Sequence, residues 1–239
     1  MTALLPKLEV HGLNAAYGRA HILYDIALEV RAGEAVALVG RNGAGKSTTL
    51  RSILGLVANC GGEVVFDGAS VARLPTYQRV RRGLGYVPED RRIFSDLTVD
   101  DNLEVGRRSG PHGAPQWTRE RLFEIFPNLQ ELRSRLGGRM SGGEQQMLAI
   151  ARTLMGGPSL VLLDEPSEGL APKIVEQMIE AILVMKREGL SLLLSEQNLR
   201  FARLVADRVC VIEKGRIRFF GTGDEFDARP DIRDAYLAL

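Results

Sequence analysis

The sequence predicts an α/β fold with a mostly parallel sheet core, an antiparallel β region at the N-terminus and an inserted helical subdomain. Three observations predict it. Near-continuous apolar runs, "EAVALV" (34–39), "LVLLDE" (160–165) and "LSLLLS" (190–195), are interleaved with helical patterns, and strands apolar on both sides belong to parallel sheets covered on both faces. The opening stretches "KLEVHGL" and "DIALEV" instead alternate apolar and polar residues, as strands with one wet face do. Residues 90 to 158 carry helical patterns and no strand signal.

A chain of 239 residues suits one large domain with a subdomain. The expected division is a single domain over 1–239, with a core of 1–89 and 159–239 and a helical subdomain of 90–158. No apolar run approaches the ~18 residues of a membrane span, and the apolar patch in "MTALLPKLEV" is too short for a signal peptide. A formal net charge of +1 without a basic run argues against nucleic acid as a partner. Cys60 and Cys210 have no motif around them and read as buried small hydrophobes in a reducing compartment. The composition fits a cytosolic protein that can still sit against a membrane protein.

The elements follow in order. "EAVALV" runs straight into "GRNGAGKS" (40–47), and a helix is expected from about Lys46, with Leu50, Ile53, Leu54 and Val57 on one face. Thr98 and Asp101 in "TVDDNLEV" stand at capping spacing. In "RERLFEIFPNLQEL", Leu122, Phe123, Ile125 and Phe126 cluster for packing. Ser141 and Glu144 in "SGGE" again have capping-box spacing, ahead of a stripe of Met147, Ile150, Ala151 and Leu154. "PKIVEQMIEAILVMKREG" (172–189) places Ile174, Val175, Met178, Ile179, Ile182 and Met185 on one stripe, with Gly189 as the candidate C-cap. "VCVIEKGRIRFF" reads as a hairpin turning at Lys214-Gly215.

Gly40-x4-Gly45-Lys46-Ser47 matches the phosphate-binding P-loop pattern, placed after an apolar strand and before an amphipathic helix. Glycines let backbone N–H groups turn toward phosphate, and the helix N-terminus adds positive potential. Lys46 is the cation for the β- and γ-phosphates, and Ser47 offers a hydroxyl to Mg²⁺. Asp164 and Glu165 end a buried strand, where ligands bind in open α/β sheets. Asp164 suits the Mg²⁺ shell, and Glu165 can polarise a water. "SGGE" is a weaker anion site. It has a capped helix start and two glycines but no cation and no metal ligand.

With these motifs in this order, almost the whole chain resembles the ATP-binding cassette ATPases, whose core sheet is RecA-like. The resemblance implies that "SGGE" is the signature loop, completing the ATP site of a second cassette in a head-to-tail dimer. It implies that Tyr17 in "AAYG" stacks on adenine, that Glu89 in "YVPED" stands where the family usually has a Mg²⁺-sensing glutamine, and that Glu165 is the catalytic base. Gln197 in "LLSEQN" stands where most cassettes have a histidine on the γ-phosphate, and Ala171 where aspartate is commoner. The resulting nucleotide-binding set is Tyr17, Gly40, Asn42, Gly43, Gly45, Lys46, Ser47, Thr48, Ser141, Gly142, Gly143 and Glu144. The metal set is Ser47, Asp164 and Glu89, and the catalytic set is Glu165, Lys46 and Gln197.

"VPED", "SGGEQQMLAIAR", "DEPSEGLAP", "SEQN" and the closing "DAYL" together look like the LivF-type ATP-binding subunits of branched-chain amino acid importers. That resemblance implies an ATP- and Mg²⁺-dependent hydrolase, peripheral on the cytoplasmic face of the inner membrane. Its partners would be permease subunits and a second cassette, either identical or a paralogue. "QRVRRGLGYVPEDRR" (78–92) surrounds Glu89 with five arginines and is the expected permease contact. Import of urea or a short amide, a soluble cassette ATPase acting on DNA or ribosomes, and a nucleotide kinase remain alternatives at this point.

Overall fold

The computed structural model describes residues 6–236. Strands β1 (Pro6–Tyr17) and β2 (Ala20–Arg31) form a hairpin, longer than the two alternating stretches alone indicate. Strand β3 (Ala35–Val39) leads through the glycine loop into helix α1 (Lys46–Leu54). Helix α1 stops at Gly55, whose φ of 79° suits glycine. Val57 therefore lies beyond the helix rather than on its face, although it is buried in the same core.

Strands β4 (Asn59–Phe66) and β5 (Ala69–Ser70), helix α2 (Thr76–Arg81) and strand β6 (Leu84–Val87) follow. None of them was legible in the periodicity. Strand β4 opens through Gly61 and Gly62, and β6 has only four residues. Cys210 is buried as expected, but Cys60 on β4 is exposed, because it lies in the glycine-interrupted start of an antiparallel strand.

Helices α3 (Val99–Gly106), α4 (Arg119–Ile125), α5 (Pro127–Glu131) and α6 (Gly142–Leu154) come next, with no strand among them in the described residues. Thr98 and Asp101 form a complete capping box at α3. The stretch "RERLFEIFPNLQEL" forms two helices, because Pro127 starts α5 and the residue before a proline is pushed out of the helical region. Leu122, Phe123 and Phe126 are buried and Ile125 half-buried.

Strand β7 (Leu160–Asp164), helix α7 (Pro172–Arg187), strand β8 (Ser191–Glu196), helix α8 (Leu199–Val205), the hairpin of β9 (Arg208–Glu213) and β10 (Arg216–Thr222), and helices α9 (Gly223–Asp227) and α10 (Pro230–Tyr236) complete the chain. The hairpin turns at Lys214 and Gly215, with φ of 47° and 72°, the left-handed pair a two-residue turn needs. On α7, Met178, Ile182 and Met185 are buried while Ile174, Val175 and Ile179 are half-buried. Gly189 has φ 86° and its N–H bonds Lys186 O, closing α7.

The antiparallel sheet has the order β2-β1-β4-β5. The larger sheet has the order β10-β9-β3-β8-β7-β6 and is parallel except for β10. Side chains alternate between its faces. Val36, Leu38, Leu160 and Leu162 pack with α1 and the antiparallel sheet, whereas Ala35, Ala37, Val161 and Leu163 pack with α6, α7 and α8. This two-sided burial explains the continuous apolar runs.

Arg79 is 4% exposed, and the region 78–92 is therefore not a uniform basic surface. Its guanidinium donates to Leu74 O, Ala72 O, Ser52 O and Ile53 O at 2.6–3.3 Å, capping the C-terminal carbonyls of α1. Arg79→Met should cost about 2 kcal/mol and lower the melting temperature by about 4–8 °C. Exposed Arg82→Met should move it by less than about 2 °C. Equal shifts from the two variants in a thermal melt would remove Arg79 from this role.

Candidate nucleotide site

The glycine loop is shaped by what surrounds it. A Cβ at Gly40 would lie 2.4 Å from Ile212 O, a backbone atom of β9, so no larger residue fits without moving the sheet. Gly43 and Gly45 have φ of 77° and 111°, left-handed values that glycine adopts without strain. The β9–β10 turn braces the loop, since Gly215 N–H bonds Ala44 O at 2.8 Å and Gly215 O accepts from Tyr24 N–H at 2.8 Å. The loop opens on a cavity of about 240 Å³ lined by Ile22, Gly43, Gly45, Lys46, Ser47, Thr48 and Glu165.

Lys46 is 4% exposed. Its ammonium donates to Gly40 O at 2.9 Å and Arg41 O at 3.2 Å and pairs with Glu165 Oε1 at 3.0 Å. Glu165 adopts φ 48°, a left-handed value uncommon outside glycine, and this turns its side chain from the end of β7 toward the loop. Its N–H bonds Ser195 Oγ at 3.0 Å. The Ser195 hydroxyl in turn donates to Asp164 Oδ1 at 2.8 Å, and the Tyr86 hydroxyl donates to Asp164 Oδ2 at 3.0 Å. Asp164 is fully buried, with Arg51 Nη2 3.9 Å away. Burial pushes the Tyr86 phenol up to about 12, so it is a proton donor at neutral pH.

The remaining candidates do not line the cavity. Tyr17 ends β1 and is 48% exposed. Glu89 and Gln197 are exposed in the turns after β6 and β8, and Asn42 is exposed on the outside of the glycine loop. Ser141 is exposed at the N-cap of α6. Its capping box is complete, with Glu144 N–H to Ser141 Oγ at 3.4 Å and Ser141 N–H to Glu144 Oε2 at 2.7 Å. Gly143 is required by close contact, as a Cβ there would meet Ile174 Cγ2 at 2.7 Å. None of residues 141–144 lines that cavity. Among the described residues, no cluster of three or more His, Cys, Asp or Glu side chains forms a metal site.

Sequence reasoning missed Tyr86, Ser195 and Glu168. Ser195 carried a signal, as a polar residue inside a buried strand is informative. The Glu168 carboxyl is hydrogen-bonded to that of Glu165. That bond, with burial and the charges of Glu165 and Glu89, pushes Glu168 up to about 7. Burial pushes Glu165 up, but the hydrogen bonds with Glu168 and Lys46 outweigh it, and its carboxyl lies below its ordinary value.

A carboxyl raised in the folded state stabilises fully below its unfolded value and loses that contribution as pH rises through the folded one. Nucleotide-free protein should therefore show a carboxyl titration near pH 7 by infrared spectroscopy, with stability falling up to that pH. Glu168→Gln should lose both features. A titration that persists in this variant belongs to another group.

The ABC transporter family profile matches residues 23–168. The chain is 45% identical, over 94% of its length and 97% of the relative's, to the high-affinity branched-chain amino acid transport ATP-binding protein BraG of Pseudomonas aeruginosa. It is 34% identical, over 96% of both chains, to the lipopolysaccharide export system ATP-binding protein LptB of Haemophilus influenzae. A solved structure of the ATP binding subunit of an ABC transporter superposes with a TM-score of 0.80 at 30% identity, covering 96% of this chain and 95% of the other. Fold, glycine loop and strand-end carboxylates agree with these matches, and this protein belongs to the ABC transporter family.

Proposed function

We propose that this chain binds and hydrolyses ATP to power a membrane importer of branched-chain amino acids. The observation that carries the chemistry is the buried Lys46–Glu165 pair on the wall of the loop cavity. The solute class is supported by the 45% identity to a branched-chain amino acid transport protein, against 34% to an export protein, and by the sequence features of the LivF-type branch.

A buried ion pair is stable only while each charge keeps a partner. A triphosphate gives Lys46 a new anion, and Glu165 is then released toward a water at the γ-phosphate. Glu165 takes the proton of that water, while Lys46 and the N–H groups of the Gly43–Thr48 turn bind the phosphate oxygens. A hydroxyl (Ser47) and a carboxylate (Asp164) would hold the metal, and hard oxygen ligands beside phosphates suit Mg²⁺. Bound Mg²⁺ would neutralise phosphate charge there, with Ser47 as direct ligand and Asp164 held toward it by Ser195 and Tyr86. Tyr17 supports adenine, and Glu89 and Gln197 complete the rim.

The exposed signature loop Ser141–Glu144 serves the ATP of a second cassette, a copy or a paralogue. No helix among the described residues is long and apolar enough to cross a membrane; the likeness to transport ATP-binding proteins supports a permease partner, reached from the cytoplasmic face. Exposed Tyr77 and Phe94 beside Arg81, Arg82 and Arg92 support a contact within and just beyond 78–92.

Glu165→Gln should keep ATP affinity and lower kcat about 100-fold or more, because a carboxamide cannot accept the proton. Turnover near the native rate removes Glu165 from the role of base. Lys46→Ala and Ser141→Arg cassettes should each be inactive alone and recover partial hydrolysis when mixed, since the mixed dimer holds one intact composite site. No recovery in a demonstrated mixed dimer returns "SGGE" to a helix cap. For the solute, the complex with its permease should be stimulated by leucine, isoleucine or valine with its binding protein. Stimulation by urea or a short amide instead overturns that choice.

A further inference from the structure

Glu196 is the last residue of β8 and is 2% exposed. It makes no salt bridge among the described residues, and its partners are the Ser167 side chain and backbone groups. Oε1 accepts from Ser167 N–H at 3.1 Å, and Oε2 accepts from Asn198 N–H at 3.1 Å. Its own carbonyl accepts from Gly40 N–H at 3.3 Å. Ser167 is two residues past Glu165. Asn198 follows Gln197 and caps α8 through its side chain, which accepts from Phe201 N–H. Gly40 opens the phosphate loop. One residue therefore ties together three loops that border the site.

A carboxylate this deeply buried is costly unless its hydrogen bonds are made. Burial pushes Glu196 up, and the Ser167 and Asn198 donors oppose that. Filling space would not require the group, since an apolar residue of similar volume costs less than a buried charge. Geometry explains it better. Only a carboxylate has two equivalent acceptor oxygens, so it can hold N–H groups of two different loops at once. Glutamine can accept from one of them, and its NH₂ then faces the other donor. Ser195, one residue earlier, points to the opposite side and holds Asp164 and Glu165. Consecutive residues of β8 thus fix the catalytic carboxylate from one side and the loops that follow it from the other.

We propose that Glu196 is a positioning residue for hydrolysis, holding the loop after Glu165 and the Gln197 turn in fixed relation to the phosphate loop through Ser167 N–H, Asn198 N–H and Gly40 N–H. This rests on the reading of Glu165 as the base. Angstrom-scale misplacement of such groups costs up to about 100-fold in rate, with little effect on ground-state binding.

The test is Glu196→Gln in the full chain, with Glu196→Asp as a second variant that keeps both oxygens on a shorter arm. Glu34→Gln is the control, a buried glutamate paired with Arg208 before β3. Two measurements are made, amide hydrogen exchange without nucleotide and ATPase kinetics with separately measured ATP affinity. In Glu196→Gln, segments 166–171 and 197–201 should exchange about tenfold faster or more while β3 and β7 keep native protection. The kcat should fall about 10- to 100-fold, with ATP affinity within about twofold of native. Glu196→Asp should fall between Glu196→Gln and native. Glu34→Gln should lower the melting temperature and leave both readouts native. Native exchange in both segments overturns the proposal. So does faster exchange across the whole sheet with kcat and affinity falling together, the signature of an ordinary core residue. The exchange arm needs no turnover. If Glu165→Gln hydrolyses at the native rate, the base assignment fails, and exchange still decides whether Glu196 holds the loops.

Discussion

Lys46 and Glu165 come from opposite halves of the sequence and meet at 3.0 Å with almost no exposure to water. Each would be untenable there alone, because an uncompensated buried charge costs several kcal/mol. The pair therefore constrains everything that positions it. Strands β3 and β7 must end at the same level of the sheet, with β8 between them. The loop after β3 must turn back over the strand ends, which glycines at 40, 43 and 45 permit. Glu165 must leave its strand in a left-handed conformation, and Ser195 holds it there through the Glu165 N–H.

The same constraint explains the division of labour on β8. Its interior residues are apolar and buried, as a central parallel strand requires. Its last two residues are polar and buried as well, and each satisfies backbone or carboxylate partners on neighbouring strands and loops. A polar pair at the end of a buried strand adds no core stability. It holds the loops at the carboxyl ends of the strands, where open α/β sheets place their ligands.

The helices between β6 and β7 solve a different problem. They bury α6 against the sheet while leaving its N-terminus exposed. Two glycines let that end lie close to α7 and to the Arg91 guanidinium, and the capping box satisfies its first N–H groups. The result is a finished helix end with the Arg91 guanidinium beside it, made of residues that do not line the cavity of the same chain. In the proposed dimer this end would meet a phosphate held by the second cassette.

The sequence alone determined the order of apolar strands, the glycine loop, the strand-end carboxylates, the capping boxes at 98–101 and 141–144, and the turn at 214–215. All are local. They depend on spacing, side-chain alternation or the backbone freedom of glycine, and so can be read within a few residues. Tertiary structure decided what is not local. It formed β4 and β6, which are too short or too glycine-rich to signal themselves, exposed Cys60 and buried Arg79 as a cap for α1. It joined Lys46 to Glu165, placed Tyr86 and Ser195 on Asp164, and set Glu168 against Glu165. Those contacts pair residues from separate strands and loops, and no periodicity records which strands become neighbours. The order β9-β3-β8-β7-β6 is fixed by burying both faces of one sheet, a property of the whole chain rather than of any segment.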